Sequence, residues 1–486
     1  MDSRANRTRR GHQTLKQKNV FIALIYYLKK TTMMQSRFTT LSITLLICAC
    51  ACGLYAADIK PLPAPTVTIE KTWDIAEVPS AFPVGFSLLT QGNRQFVAYY
   101  DAQHRMTVAA RTLDSDQWQY QVLPSQIGWD SHNYITMALD SEGCLHLSGN
   151  MHCVPLIYFR TAKPWDITTL ERIPSMTGSN EKRCTYPHFM EGPDRQLIFH
   201  YRDGSSGNGS EIYNVYDCRT RLWRRLLDQP LIDGQGQMNA YMHGPALGPD
   251  GWFYLAWVWR DTPACETNHD PSCARSRDLV NWESLTGTPI TLPITITTPG
   301  TLIDPVPAGG GILNGALRIG FDSTNVPLAS YYKFDTNGIT QAYAARLEAG
   351  QWITRQISNW NYRWEFKGGG SIRGEIGLGS IEPHAPGQLA LAYSHSKEGS
   401  GLLIFDEKSL TPLGKQPQTP KNPKAMGRIE SAFPEMRVKT AGDSGTGAEP
   451  GVRYVLRWET LPANRDRKPP EPHPEPSQLR LYKLKP

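Results

Sequence analysis

The sequence predicts an all-β fold: a seven-bladed β-propeller of four-stranded antiparallel blades. Three observations lead there. Strand-like apolar runs recur at intervals of roughly 40 to 60 residues, the period of a propeller blade. The runs pair into hairpins across tight turns such as Asp140-Ser141-Glu142-Gly143, Gly192-Pro193-Asp194-Arg195 and Gly248-Pro249-Asp250-Gly251. A tryptophan falls near the end of unit after unit, at Trp118, Trp165, Trp223, Trp282 and Trp352. These are read as wedges packed between neighbouring sheets. No long segment carries a 3.6-residue apolar period, so helices should be few. The regular spacing of turns and tryptophans disfavours a pair of β-sandwiches.

Composition narrows the class. The chain has 486 residues, 40% hydrophobic and 20% charged, which suits a packed globular protein rather than disorder. The net charge of +6 permits an anionic partner. No basic stripe of the nucleic-acid-binding kind is present. Residues 1–57 read as an N-terminal extension and signal peptide. Residues 41–51 (LSITLLICACA) follow Arg37 and are too short to span a bilayer. Small residues then run to Ala57 and offer a cleavage site; Met33 and Met34 are alternative starts. Lipid attachment at Cys50 or Cys52 is the alternative to free release. Either way the chain is expected outside the cytoplasm, secreted or periplasmic, without a membrane span. Residues 58–486 are expected to form one propeller domain and to act as a monomer.

The blades follow in order. Residues 86–123 make the first unit. The hairpin of residues 134–139 and 144–147 starts the second, and residues 189–190 with 196–201 start the third. Residues 241–261 start the fourth, around WFYLAWVWRD. Residues 316–357, 388–410 and 453–484 supply the remaining three. Residues 366–371 form a Gly-rich run, read either as a flexible turn or as backbone held close to something. Residues 440–450 and 465–476, rich in Gly or Pro, are expected to be solvated loops.

The chemistry gathers at one end of three hairpins. In an antiparallel hairpin, the residue entering the first strand and the residue leaving the second lie at the same end. His132 enters and His152 leaves; Tyr186 and Arg202 do the same, then Tyr241 and Arg260. Adjacent blades would place all six on one rim. Tyr186 precedes Pro187, which restricts its backbone. His188 follows and is expected to support substrate binding. Glycoside hydrolysis usually needs two converging carboxylates. The turn acids Asp140, Asp194 and Asp250 should lie at the opposite end. β-Elimination on a uronic acid needs the set that is present. A cation neutralises the carboxylate, a neutral His or Tyr removes the C5 proton, and a Tyr or His protonates the leaving oxygen. Arg suits the carboxylate because its planar fork binds it in a bidentate way.

Cys265, His269 and Cys273 recur at four-residue intervals in one loop. They read as three ligands of a structural zinc, with a Cys265–Cys273 disulfide or free thiols as alternatives. No organic cofactor is implied.

At SHNYITMALDSEGCLHLSGNMHCVPLIYFRT, TYPHF, LIFHYRDGSSGNG, WVWRDTP and NYRWEFKGGGSI the chain resembles the BNR-repeat propeller family that includes the ulvan lyases and related rhamnosidases. The resemblance spans most of residues 85–380. It implies an exported polysaccharide lyase acting on a uronate-containing, ulvan-like glycan. His132 and His152 would be the paired catalytic-site histidines, Tyr186 the acid/base tyrosine and Arg202 the uronate-binding arginine. It also implies the structural zinc. Two other functions stay open: an exo-acting rhamnosidase on rhamnose–glucuronate glycans, and a non-catalytic glycan-binding propeller.

Overall fold

The computed structural model describes Val67–Pro486, apart from Thr446 and Ala448. The signal-peptide and lipid-attachment readings of residues 1–57 lie outside the described residues.

Strand formation follows burial on both faces. In Phe253–Arg260 (FYLAWVWR) every residue is buried, which explains a continuous apolar run instead of alternation. Arg94–Tyr100 repeats the pattern after its first residue. The described residues form seven sheets of four or five strands, and all strand neighbours are antiparallel. Leaving aside the short His152–Val154 in the third sheet and Thr68–Val78 in the seventh, the sheets open in chain order at Ser87–Gln91, Ile135–Leu139, Cys184–Glu191, Asn239–Leu247, Arg318–Phe321, Ile376–Ala385 and Arg437–Gly442. The opening strands of neighbouring sheets touch. Ser87–Gln91 meets both Ile135–Leu139 and Arg437–Gly442, and Ile135–Leu139 meets Cys184–Glu191. Opening strands therefore lie inward, as in a propeller. Four short 3-10 turns are the only helical elements among the described residues.

The ends of the described chain meet in the seventh sheet. Thr68–Val78 pairs with Ser477–Lys485 and forms its outer strand. The tryptophans divide. Trp223 is buried and packs edge-on against His146 of the preceding sheet, with ring centroids 5.8 Å apart. That is the inter-sheet wedge expected. Trp165 lies outside the strands and is exposed.

Two features of the fold position the site. The short strand His152–Val154 leaves the second sheet and pairs with the inner edge of the third, Thr185 opposite His152. The other is a correction. Residues 465–476 are not simply a solvated loop. Asp466 packs inward, where it accepts hydrogen bonds from Ser131 Oγ (3.1 Å) and the Ser371 amide (2.7 Å). The Gly-rich run is likewise held: Gly368 bonds Glu266 and Cys265, and Gly369 accepts from Arg465. The 440–450 stretch is also partly structured, since its first residues belong to the strand Arg437–Gly442.

Candidate active site

The site begins in the loop before Ile135–Leu139. Asp130 Oδ1 accepts both the His132 amide (2.9 Å) and His132 Nδ1 (2.8 Å). The other oxygen of Asp130 takes His152 Nδ1. One carboxylate thus bridges two imidazoles, whose centroids lie 4.6 Å apart. Asp466, from the seventh sheet, adds a second carboxylate 3.3 Å from His132 Nδ1. Burial opposes charge on His132, but Asp130 and Asp466 outweigh it and lift its pKa to about 9. Burial likewise opposes the Asp130 charge, yet the two histidines hold its carboxyl well below the usual range. With each Nδ1 turned to a carboxylate, Nε2 is the remaining proton-accepting nitrogen of each ring.

Tyr186 sits 5.9 Å from the His132 ring and 6.4 Å from the His152 ring. A break in register between Thr185 and His188 puts Tyr186 and Pro187 in a bulge. Tyr186 has φ 57°, a left-handed conformation that costs a non-glycine residue on the order of 1–3 kcal/mol. The bulge re-aims the side chain, as bulges near functional sites do. Tyr134 of the second sheet holds it by donating to the Pro187 carbonyl (3.1 Å). Burial raises the Tyr186 phenol far above its ordinary pKa, so it keeps its proton.

Arg202 stacks on this tyrosine, its guanidinium carbon 4.9 Å from the ring centre and 5.7 Å from that of Tyr241. It is 1% exposed. Its Nη2 reaches the Cys153 sulfur at 3.9 Å, while Nε and Nη1 have no partner among the described residues. Gly209 makes room for it: a Cβ there would fall 2.8 Å from Cδ and 2.9 Å from Cγ of Arg202. Opposite Arg202 in the strand register stands Glu211. Burial raises this carboxyl to about 7, against the pull of Arg202.

Tyr241 and Arg260 extend the cluster. Arg260 Nη1 donates to Tyr241 Oη (3.3 Å), and Ser206 Oγ lies 2.7 Å from the same oxygen. Burial pushes the Tyr241 phenol up, but Arg260, Arg202 and Ser206 together bring it below its ordinary value. The structure therefore brings His132, His152, Tyr186, Arg202, Tyr241 and Arg260 into one chain of contacts. His188 is exposed, and its ring partner is His200, 5.1 Å away, rather than any member of this cluster.

The zinc trio does not come together. Both Cys265 and Cys273 are buried free thiols, so the disulfide alternative is absent as well. His269 turns Nε2 to Asp261 (3.0 Å) and Nδ1 to Asp270 (3.1 Å), leaving neither nitrogen for a metal shared with the thiols. The reason is local: Cys265–Thr267 folds as a 3-10 turn, after which His269 and Cys273 are fixed along the strand Asn268–Ser276. These residues do not fit the implied zinc. Among the described residues, the group with metal-ligating atoms all within 4.8 Å is Asp130, His132 and His152.

The sequence places Asp130 near the rim but gives it no role, and it misses Asp466 and Glu211. Asp130 carried a signal, since an Asp two residues before a His can cap it locally. Asp466 and Glu211 carried none.

The family model described as BNR repeat-containing family member matches residues 94–360, more than half of the chain. The chain belongs to this family. No curated protein matches its sequence. Among solved structures it is similar to the polysaccharide lyase Uly1, at 14% identity and a TM-score of 0.56, covering 86% of this chain and 99% of that one. It is also similar to an ulvan lyase of polysaccharide lyase family PL25 bound to -[GlcA(1-4)Rha3S]-, at 12% identity and a TM-score of 0.53, covering 84% and 95%. At such identities the likeness establishes a shared fold, that of polysaccharide lyases. No helix among the described residues is long and apolar enough to cross a membrane.

Proposed function

We propose that this BNR-repeat protein is a polysaccharide lyase that cleaves a uronate-containing glycan by β-elimination. The observation that carries the reading is Arg202, a buried guanidinium with two nitrogens unpartnered among the described residues, stacked on two phenols of which one, Tyr186, borders both imidazoles. A buried unpaired cation is costly unless an anion completes it. A uronate carboxylate supplies that anion and matches the guanidinium fork.

In the proposed step, Arg202 and the His132 imidazolium neutralise the carboxylate and acidify the C5 proton. His152, oriented by Asp130, takes that proton on Nε2. The electron pair from the C5–H bond forms the C4–C5 double bond and the C4–O4 bond breaks. Tyr186, which burial keeps protonated, gives its proton to the departing O4. Tyr241 and Arg260 flank the next sugar. The oligosaccharide bound to the ulvan lyase neighbour supports a sulfated, ulvan-like glycan as substrate, and the leader sequence supports export. Hydrolysis is less favoured, because Asp130 and Asp466 are both engaged by histidine.

The test is incubation with a panel of uronate polysaccharides, reading the ultraviolet absorbance of the new C4–C5 double bond. Saccharides released without unsaturated ends would mean hydrolysis, and binding without release would mean a lectin-like propeller. Either result ends the lyase reading.

A further inference from the structure

The third sheet carries a second histidine pair, which the elimination does not use. His188 on Cys184–Glu191 stands directly opposite His200 on Leu197–Ser205. Directly opposed residues send their side chains to the same face of a sheet. His200 is 7% exposed, yet neither of its ring nitrogens finds a partner among the described residues. Buried polar atoms are nearly always satisfied, and one that is not calls for a water or an ion. Tyr213, the neighbour of His200 on the other side, stacks flat against its ring with centroids 4.8 Å apart and planes at 14°. That covers a face of the imidazole and leaves its nitrogen-bearing edge to be satisfied in the ring plane. The His188 ring lies 5.1 Å away at 57°, and His188 is exposed.

This spacing has a geometric meaning. Two imidazoles on one tetrahedral ion, with metal–nitrogen bonds of about 2.0–2.1 Å, have ring centres about 5.2 Å apart. The observed separation is within about 0.1 Å of that figure. Imidazole nitrogen is a favoured donor for zinc, copper and nickel, in its neutral form. Burial holds His200 well below the ordinary imidazole range and lowers His188 too, so both rings are neutral near pH 7.

We propose that His188 and His200 bind one divalent transition-metal ion of the zinc, copper(II) or nickel class, with water completing the coordination on the exposed His188 side. The site does not depend on the lyase reading. It is also separate from the Asp130–His132–His152 group, so the two can be told apart by mutation.

The experiment uses the full chain, stripped with chelator and desalted, then titrated with copper(II) or zinc(II) alone by calorimetry. Electron paramagnetic resonance of the copper(II) form reads the ligating nitrogens. Wild type should bind an ion through two imidazoles. His188→Ala and His200→Gln should each weaken that binding at least tenfold, and His132→Ala should leave it in place. His200 is buried, so its variant tests folding as well as binding; His188 is exposed, so His188→Ala decides alone. Equal binding by wild type and His188→Ala, no binding by wild type, or loss only in His132→Ala would overturn the proposal.

Discussion

Replacing Asp466 with Asn tests whether the last sheet sets the charge of a histidine in the second. His132 has a pKa of about 9 against 6.5 for a free imidazole, a difference worth about 3 kcal/mol. Two carboxylates produce it, and Asp466 is the more distant, at 3.3 Å against 2.8 Å for Asp130. An opposite charge within about 4–6 Å moves a pKa by about 1–3 units. Asp466→Asn should therefore lower the His132 pKa by at least about 1 unit. Near pH 8 His132 would go from about nine-tenths protonated to about half. Asn keeps an acceptor for Ser131 or Ser371, so the loop should stay folded. NMR titration of histidine-labelled protein reads the change directly. Stability gives an independent readout. Because the folded-state pKa is raised, the His132 contribution is complete below about pH 6.5 and is lost as pH rises through about 9. Wild type should lose melting temperature between those values, and Asp466→Asn should lose less. A wild-type His132 titrating near 6.5, or an unchanged titration in Asp466→Asn, would show that Asp466 does not set the charge of His132.

Further outcomes follow from the same geometry. Tyr186→Phe keeps the ring on which Arg202 stacks and removes only the proton donor, so kcat should fall on the order of 10²-fold or more at unchanged melting temperature. Arg202→Lys keeps the charge and loses the fork; kcat/KM on the uronate polymer should drop about 10²-fold or more, checked by the same absorbance assay. Gly209→Ala places a methyl group against the Arg202 stem and should reproduce most of that loss through displacement of the guanidinium, visible as a weaker carboxylate-ligand affinity. Trp223→Ala empties the wedge between the second and third sheets and should cost about 3–5 kcal/mol in denaturant unfolding.

Local signals made most of the fold legible. Turns such as Gly248-Pro249-Asp250-Gly251 and buried runs such as FYLAWVWR are encoded within about ten residues, and each hairpin they mark is present. Antiparallel pairing alone is enough to bring Tyr241 and Arg260 to the end of the sheet where Arg202 lies. Spacing alone does not imply coordination. Cys265, His269 and Cys273 lie close in sequence, but both thiols are buried in one apolar cluster while His269 turns to Asp261 and Asp270. His188 stands apart from the cluster for a related reason. Its place two residues after Tyr186 suggested the same rim, while the intervening bulge leaves it opposite His200 instead.

Asp466 shows the other limit. It meets Ser131 from 335 residues along the chain, and nothing in residues 465–476 distinguishes an anchoring acid from a solvated one. The contact exists because the seventh sheet carries the loop that holds Asp466 back toward the second. That sheet is itself completed by Thr68–Val78, from the start of the described chain. Asp130 is local to His132 and would orient it in any arrangement of the sheets. The second carboxylate arrives only once the last sheet is in place. The positive charge that the proposed mechanism asks of His132 is thus a property of the whole propeller, although the ring that bears it belongs to a single hairpin.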